Sequence, residues 1–429
     1  MNPNPSGTTS LQAGPKEFTL RDINATQWRA FLGAFLGWVL DGFDFSVLAF
    51  ILIDIEHSFT VDKALAGALG TVTLVFRLFG GLGIGTAADR FGRKTPLMLS
   101  VVWISLFSLL SGLSISYGML FACRALFGIG MGGVWAAGLP LALEHWPTNL
   151  RGVASGLLMG GFAWGYICAA VVYQLIYPLV RGPSGWRVLF FAAALPIFLV
   201  FWIRARVEES PIWLARQGQI QQAAVDDQLS IRRIFRRDLI GITFRTSVTM
   251  ALFMFSYYSI SFWYPTFLRE THVSAVEYVI GLNVGGIVGS ALWGRVSESR
   301  LGRRGTITIA ALGSVLVIPI FLGTRQPSLL LLGSFLMGSC GIGVWGMAPA
   351  YLTESFPTSA RAVGPGFAYH AGAAIASLTP TLIGYLQDRS ISLPHAMAAC
   401  TAIAGVVLTI SVWFGPETRG RSFAVTDRG

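Results

Sequence analysis

The sequence predicts an all-α membrane protein of twelve transmembrane helices in two pseudo-symmetric six-helix bundles, and three observations carry that expectation. Of 429 residues, 53% are hydrophobic and only 12% charged, so water is a poor solvent for most of the chain. Roughly twelve apolar stretches, each near the ~20 residues needed to cross a hydrocarbon core, can be placed between turn residues and charges. The third observation is a repeat at a constant offset of 210 residues. Arg90, Gly92 and Arg93 recur as Arg300, Gly302 and Arg303, and Gly128, Gly133, Trp135, Glu144, Pro147, Thr148 and Arg151 recur as Gly338, Gly343, Trp345, Glu354, Pro357, Thr358 and Arg361.

In chain order, residues 1–28 are polar and rich in Pro and Gly, without the apolar run of a cleaved signal, and are expected to form a cytoplasmic tail. Helices are expected at 30–53, 64–87, 96–115, 117–143, 153–177 and 188–206, giving a first bundle over 29–206. The hydrophilic stretch 207–240, with Arg232, Arg233, Arg236 and Arg237 near its end, reads as a cytoplasmic linker. A second bundle over 241–414 follows, with helices at 241–265, 274–295, 305–322, 328–352, 363–386 and 395–414, and 415–429 is a second cytoplasmic tail. Parallel halves of this kind place a substrate near the membrane midplane between them.

The net charge of +10 is topological. Of 31 basic residues, 22 fall in the expected cytoplasmic segments, six outside and three within helices, which sets the orientation and removes the need for a nucleic-acid partner. Cys123, Cys168, Cys340 and Cys400 all lie in apolar stretches without metal-ligand spacing. No metal, cofactor or enzymatic motif is recognisable, and the glycine groups Gly80, Gly81, Gly83, Gly85 and Gly128, Gly130, Gly132, Gly133 suit close helix packing better than a nucleotide site. The lipid bilayer is the expected surrounding, with the chain acting as a monomer.

Of 21 acidic residues, only Asp41 and Asp44 lie well inside an expected helix, where an ionised carboxylate must be paired, hydrated or neutralised. Three residues apart, they share a helix face, and each raises the cost of ionising the other. They are candidates for proton coupling or for a structural pair. Arg77 is their natural partner: it lies twelve residues from Asp89, as Asp41 does from Arg29, about 18 Å from the cytoplasmic boundary. A guanidinium there could grip an anionic substrate or trade between substrate and aspartate; alternatively it locks the first two helices as a permanent ion pair. Similar counting places Trp135, Tyr257, Asn283, Trp345 and His370 at comparable depth, as the walls of one cavity or as packing. His370 titrates near neutral pH and is a second candidate for proton or carboxylate binding. Arg124, counted from Glu144, falls ~30 Å from the cytoplasmic face and is expected to snorkel to the outer surface.

Asp89, Arg90, Arg93 and Lys94 stand at a cytoplasmic corner that corresponds to Glu298, Arg300, Arg303 and Arg304 in the second copy, as Glu144 with Arg151 corresponds to Glu354 with Arg361. Their pairs either gate the cytoplasmic side as the halves rock, or simply anchor the topology.

The run Gly85-Thr-Ala-Ala-Asp89-Arg90-Phe-Gly92-Arg93-Lys94 resembles the signature between helices 2 and 3 of the major facilitator superfamily. Arg124, Gly128, Gly130 and Gly132 are similar to its helix 4 motif, while Glu209-Ser210-Pro211-x-Trp213-Leu214 and Pro416-Glu417-Thr418-x-Gly420-Arg421 resemble marks of its sugar and organic-acid branches. Gln27 to Phe31 and Leu40-Asp41-Gly42-Phe43-Asp44-Phe45 are similar to the first helix of sialate and lactate proton symporters, and aromatic-acid symporters share the Asp-Gly-x-Asp element. Val134 and His370 depart from the glutamate and asparagine of the sialate branch. The resemblance implies the major facilitator fold, an inner-membrane location and proton-coupled symport of an organic anion, a lactate-like monocarboxylate or a sialic acid-like hydroxy acid. Aromatic acid, lactone or dicarboxylate uptake, and efflux in exchange for protons, stay open. The resemblance also offers Arg124 a part in coupling.

Overall fold

A computed structural model of the chain describes residues 19–147, 150–180, 182, 184–216, 233–271, 273–357, 360 and 364–419, and its regular structure is helical throughout. The first half holds α1 (Ala25–Phe59), α2 (Lys63–Phe91), α3 (Lys94–Gly112), α4 (Tyr117–His145), α5 (Arg151–Ile176) and α6 (Gly185–Arg206). The second holds α7 (Ile240–Ser261, continued by Tyr264–Glu270), α8 (Ala275–Val296), α9 (Gly302–Leu322), α10 (Pro327–Ser355), α11 (Gly364–Ala376, continued by Thr379–Asp388) and α12 (Leu393–Trp413). Ten of the twelve are long and apolar enough to cross a membrane, and the chain is a multi-pass membrane protein.

The expected spans match these helices to within a few residues, with α1 extending furthest beyond its expected ends. It runs five residues earlier because the Asn24 side chain caps it, accepting from Gln27 N at 2.9 Å, and six residues later through Asp54, Glu56 and His57. Polar residues that mark the end of an apolar run need not end the helix.

Within the first half α2 packs on α4 and α1 on α5; within the second α8 packs on α10 and α7 on α11. The halves meet where α2 lies along α11 and α5 along α8. Glycine sets the closeness of α2 and α4: a Cβ at Gly128 or Gly132 would strike the carbonyl of Thr73 or Arg77. Gly83, by contrast, faces open space.

The two halves differ in continuity. α4 stays α-helical through its glycines and Pro140, whereas α10 passes through a π turn at Gly338–Ile342 and a 3-10 turn at Gly343–Gly346. α7 breaks at Phe262 and Trp263, just before Pro265, and α11 breaks at Ser377 and Leu378, just before Pro380. A proline removes a backbone donor and crowds the preceding turn, so each break falls where the helix is weakest. Helices that define the second half's central wall are thus jointed.

Candidate functional site

Helix periodicity puts Trp38, Asp41 and Phe45 of α1 on one side, facing the interior of the bundle. Asp41 is wholly buried, and neither of its carboxylate oxygens has a hydrogen-bond partner. The charge of Arg77, on α2, acts on it without closing to ion-pair distance. Arg77 is itself buried, its Nη2 donating to the Tyr369 hydroxyl at 3.1 Å. The guanidinium lies 5.2 Å from the Trp38 ring and 5.7 Å from the Tyr369 ring.

Asp44 has a different partner from the expected one. Arg124 Nη1 donates to its Oδ1 at 2.5 Å, and Ser108 Oγ donates to its Oδ2. Arg124 is fully buried, gives its Nε to Ser111 Oγ at 3.1 Å, and lies under Phe127 and Phe190 at 4.3 and 4.7 Å. The expected snorkelling is therefore corrected. The depth count failed because α4, at 29 residues, is about 43 Å long and overruns a core of ~30 Å, so a count from one helix end does not fix depth in the membrane.

Aromatic rings converge around Tyr369 from both halves. Trp135 stacks on it at 5.0 Å with an interplanar angle of 13°, Trp38 meets Trp135 at 4.7 Å, and Trp345 approaches Tyr369 at 6.4 Å and Tyr257 at 6.1 Å. Arg77, Trp135, Tyr257 and Trp345 are thus brought together. His370 stands beside this cluster against α2, where a Cβ on Gly81 would come within 2.5 Å of its ring, and its Nδ1 has no partner. Asn283 is buried on α8, where its Nδ2 donates to the Val279 carbonyl one turn back.

Trp38, Tyr369 and Ser108 escaped the sequence reading. Trp38 had a signal, standing one turn before Asp41. Tyr369 had none beyond being a neighbour of His370.

On the face that carries the linker, the repeat builds one corner in each half. Arg93 pairs with Asp89 and, at 3.4 Å, with Glu144, whose second oxygen accepts from Ser210. Glu209 caps α3, accepting from the amides of Arg93 at 2.7 Å and Lys94 at 3.1 Å. In the second half Arg303 pairs with Glu354 through two hydrogen bonds, at 2.9 and 3.1 Å, and with Glu298 at 2.6 Å. Thr418 donates to Glu354 at 2.8 Å, and Glu417 caps α9 at the amides of Arg303 and Arg304. Burial pushes the Glu417 carboxyl up, but the amides of Arg419, Arg303, Arg304 and Thr418 outweigh it and hold it below the usual glutamate range. Arg151 meets the Leu143 and Trp146 carbonyls at the end of α4, Arg90 lies over the Phe91 ring, and Arg300 is exposed. Arg361 lies outside the described residues. Among the described residues, every ion pair on this face stays within its own half.

The opposite face is built the other way, since its pairs cross between halves. Arg269 of α7 donates to Asp54 of α1 at 2.6 Å, and Lys63 of α2 pairs with Glu270 at 2.8 Å. Asp388, at the end of α11, caps α2 by accepting from the amides of Lys63 and Ala64 at 3.1 and 2.8 Å. These residues lack a common offset, so the repeat could not reveal them.

Comparison with known proteins follows the same lines. Residues 34–380 match the family described as Major Facilitator Superfamily. The chain is 32% identical to a Cupriavidus pinatubonensis protein named "Probable 4-methylmuconolactone transporter", over 92% of this chain and 91% of that protein. It is 30% identical to the sialic acid transporter NanX of Escherichia coli over 86% and 89% of the two chains, and 30% identical to the cis,cis-muconate transport protein of Acinetobacter baylyi over 90% and 94%. Among solved structures, the inward open conformation of the E. coli xylose transporter XylE superposes with a TM-score of 0.75 over 92% of this chain and 98% of that one, at 20% identity.

Proposed function

We propose that this chain, which belongs to the major facilitator superfamily and is a membrane transporter rather than an enzyme, carries a small organic anion together with a proton. The observation that carries the reading is the Asp41–Arg77 arrangement: a buried guanidinium in an aromatic box, near a buried carboxyl that accepts no hydrogen bond. An ionised Asp41 would compete with an anionic substrate for Arg77. A protonated Asp41 leaves the charge of the guanidinium to the anion, and a bound anion in turn favours the proton's release elsewhere only after the halves rearrange. Proton and anion therefore raise each other's affinity, which is the differential binding that coupled transport needs. Asp44, already held by Arg124 and Ser108, supports this site as a fixed pair in the present state.

Alternating access is supported by the asymmetry of the two faces. With the linker face in the cytoplasm, as the basic residues favour, the crossing pairs Asp54–Arg269 and Lys63–Glu270 close the outside, while the corners on the inner face are free to part. The relatives named for muconolactone, muconate and sialic acid support an organic anion as cargo. The deciding experiment is uptake of a labelled carboxylate panel into proteoliposomes with and without an inward proton gradient. Accumulation of one acid, lost in Asp41→Asn, is expected; accumulation that persists in Asp41→Asn removes this residue from coupling. Export in exchange for protons would show as gradient-driven loss of preloaded acid.

A further inference from the structure

Tyr369 bridges the two halves at Arg77, which Tyr258 of α7 also reaches. Its backbone belongs to α11 in the second half, yet its ring lies flat on Trp135 and its hydroxyl is held by Arg77, both in the first half. The contacts are those of a ligand: a planar ring against an indole face, and an oxygen on the guanidinium. Trp345 stands 6.4 Å from its ring, Trp38 lies on the guanidinium that holds its hydroxyl, and the residue is only partly buried.

We propose that Tyr369 is a built-in stand-in for the substrate, occupying the anion site until a planar carboxylate, aromatic or conjugated, displaces it; the inference rests on the organic-anion reading above. The chemistry favours the exchange. A phenol offers Arg77 one neutral hydrogen bond, whereas a carboxylate offers two charge-assisted ones in the guanidinium plane. The Trp135 face rewards a flat ring or polyene over a puckered one, because offset stacking needs a planar partner. Displacement also removes a contact between the halves, so arrival of the substrate loosens the same interface that must move.

The test is calorimetric titration of the purified full-length chain in detergent with benzoate and with cyclohexanecarboxylate, at neutral and acidic pH, comparing Tyr369→Phe and Tyr369→Ala. The native chain should bind benzoate roughly 3- to 10-fold more tightly than its puckered counterpart. Tyr369→Phe keeps the ring but loses the hold on Arg77, and should tighten benzoate by about threefold; Tyr369→Ala should tighten it at least as much. Benzoate binding only after either substitution would equally support displacement. Equal affinity for the two acids, weaker or unchanged binding in both variants, or no binding by any of the three chains overturns the proposal. Should Tyr369→Ala not fold, Tyr369→Phe decides alone. Because titration needs no gradient, benzoate that binds without accumulating would sink symport and leave this inference standing. Accumulation of another acid without benzoate binding would do the reverse.

Discussion

Asp41 and Asp44 occupy the same helix one turn apart and are equally buried, yet one is bound on both oxygens and the other on neither. The difference comes from what lies opposite. α3 and α4 present Ser108 and Arg124 to Asp44, while α2 presents Arg77 toward Asp41 with its guanidinium turned to Tyr369. Burial alone therefore does not assign a carboxylate its work. A charge inside a membrane is tolerated when paired, and a carboxyl left unpaired is best carried as a neutral acid.

The largest effect that would test the contrast is on stability. Arg124→Leu strands Asp44 as a buried, unpaired charge and should cost about 3–5 kcal/mol, read by thermal unfolding in detergent, with much of the loss recovered when Asp44→Leu is added. A small loss in the single variant would mean that Asp44 has another partner. Asp41→Asn should change unfolding by less than about 1 kcal/mol while lowering gradient-driven uptake by roughly a hundredfold. If the two variants behaved alike, the distinction between a structural pair and a proton site would collapse.

Next in size is the outer latch. Asp54→Asn removes a partly exposed pair between the halves and should shift the balance toward an outward-open state by about 1 kcal/mol, or roughly fivefold, measured by cysteine labelling of positions flanking the latch. An unchanged labelling pattern would make the Arg269 pair incidental. The smallest effect concerns Glu417. Its carboxyl is held below the usual glutamate value in the folded chain, so the stability it contributes is full above about pH 4.3 and is lost as pH falls through the lower folded value. Glu417→Gln should therefore flatten the acid side of the unfolding profile without altering the neutral one.

The corners and the core also show how far residue patterns reach. The 210-residue repeat marked Arg93, Glu144, Arg303 and Glu354 as matching positions, but set Glu144 beside Arg151, whereas the structure pairs it with Arg93 and pairs Glu354 with Arg303. It did not lead to Glu209 and Glu417 as caps, since a cap depends on how the chain returns to a helix start after leaving the bundle.

From sequence alone came the membrane as solvent, the twelve spans, the two halves and the rarity of Asp41, Asp44 and Arg77 among apolar residues. Those follow from local length, composition and repetition, which need no knowledge of neighbours. Tertiary structure decided that Arg124 serves Asp44, that Tyr369 reaches across to Arg77, and that among the described residues ion pairs cross the halves on one face only. Each joins residues dozens to hundreds of positions apart, and helix tilt and rotation, set by packing among glycines and aromatic rings, determine which of them meet.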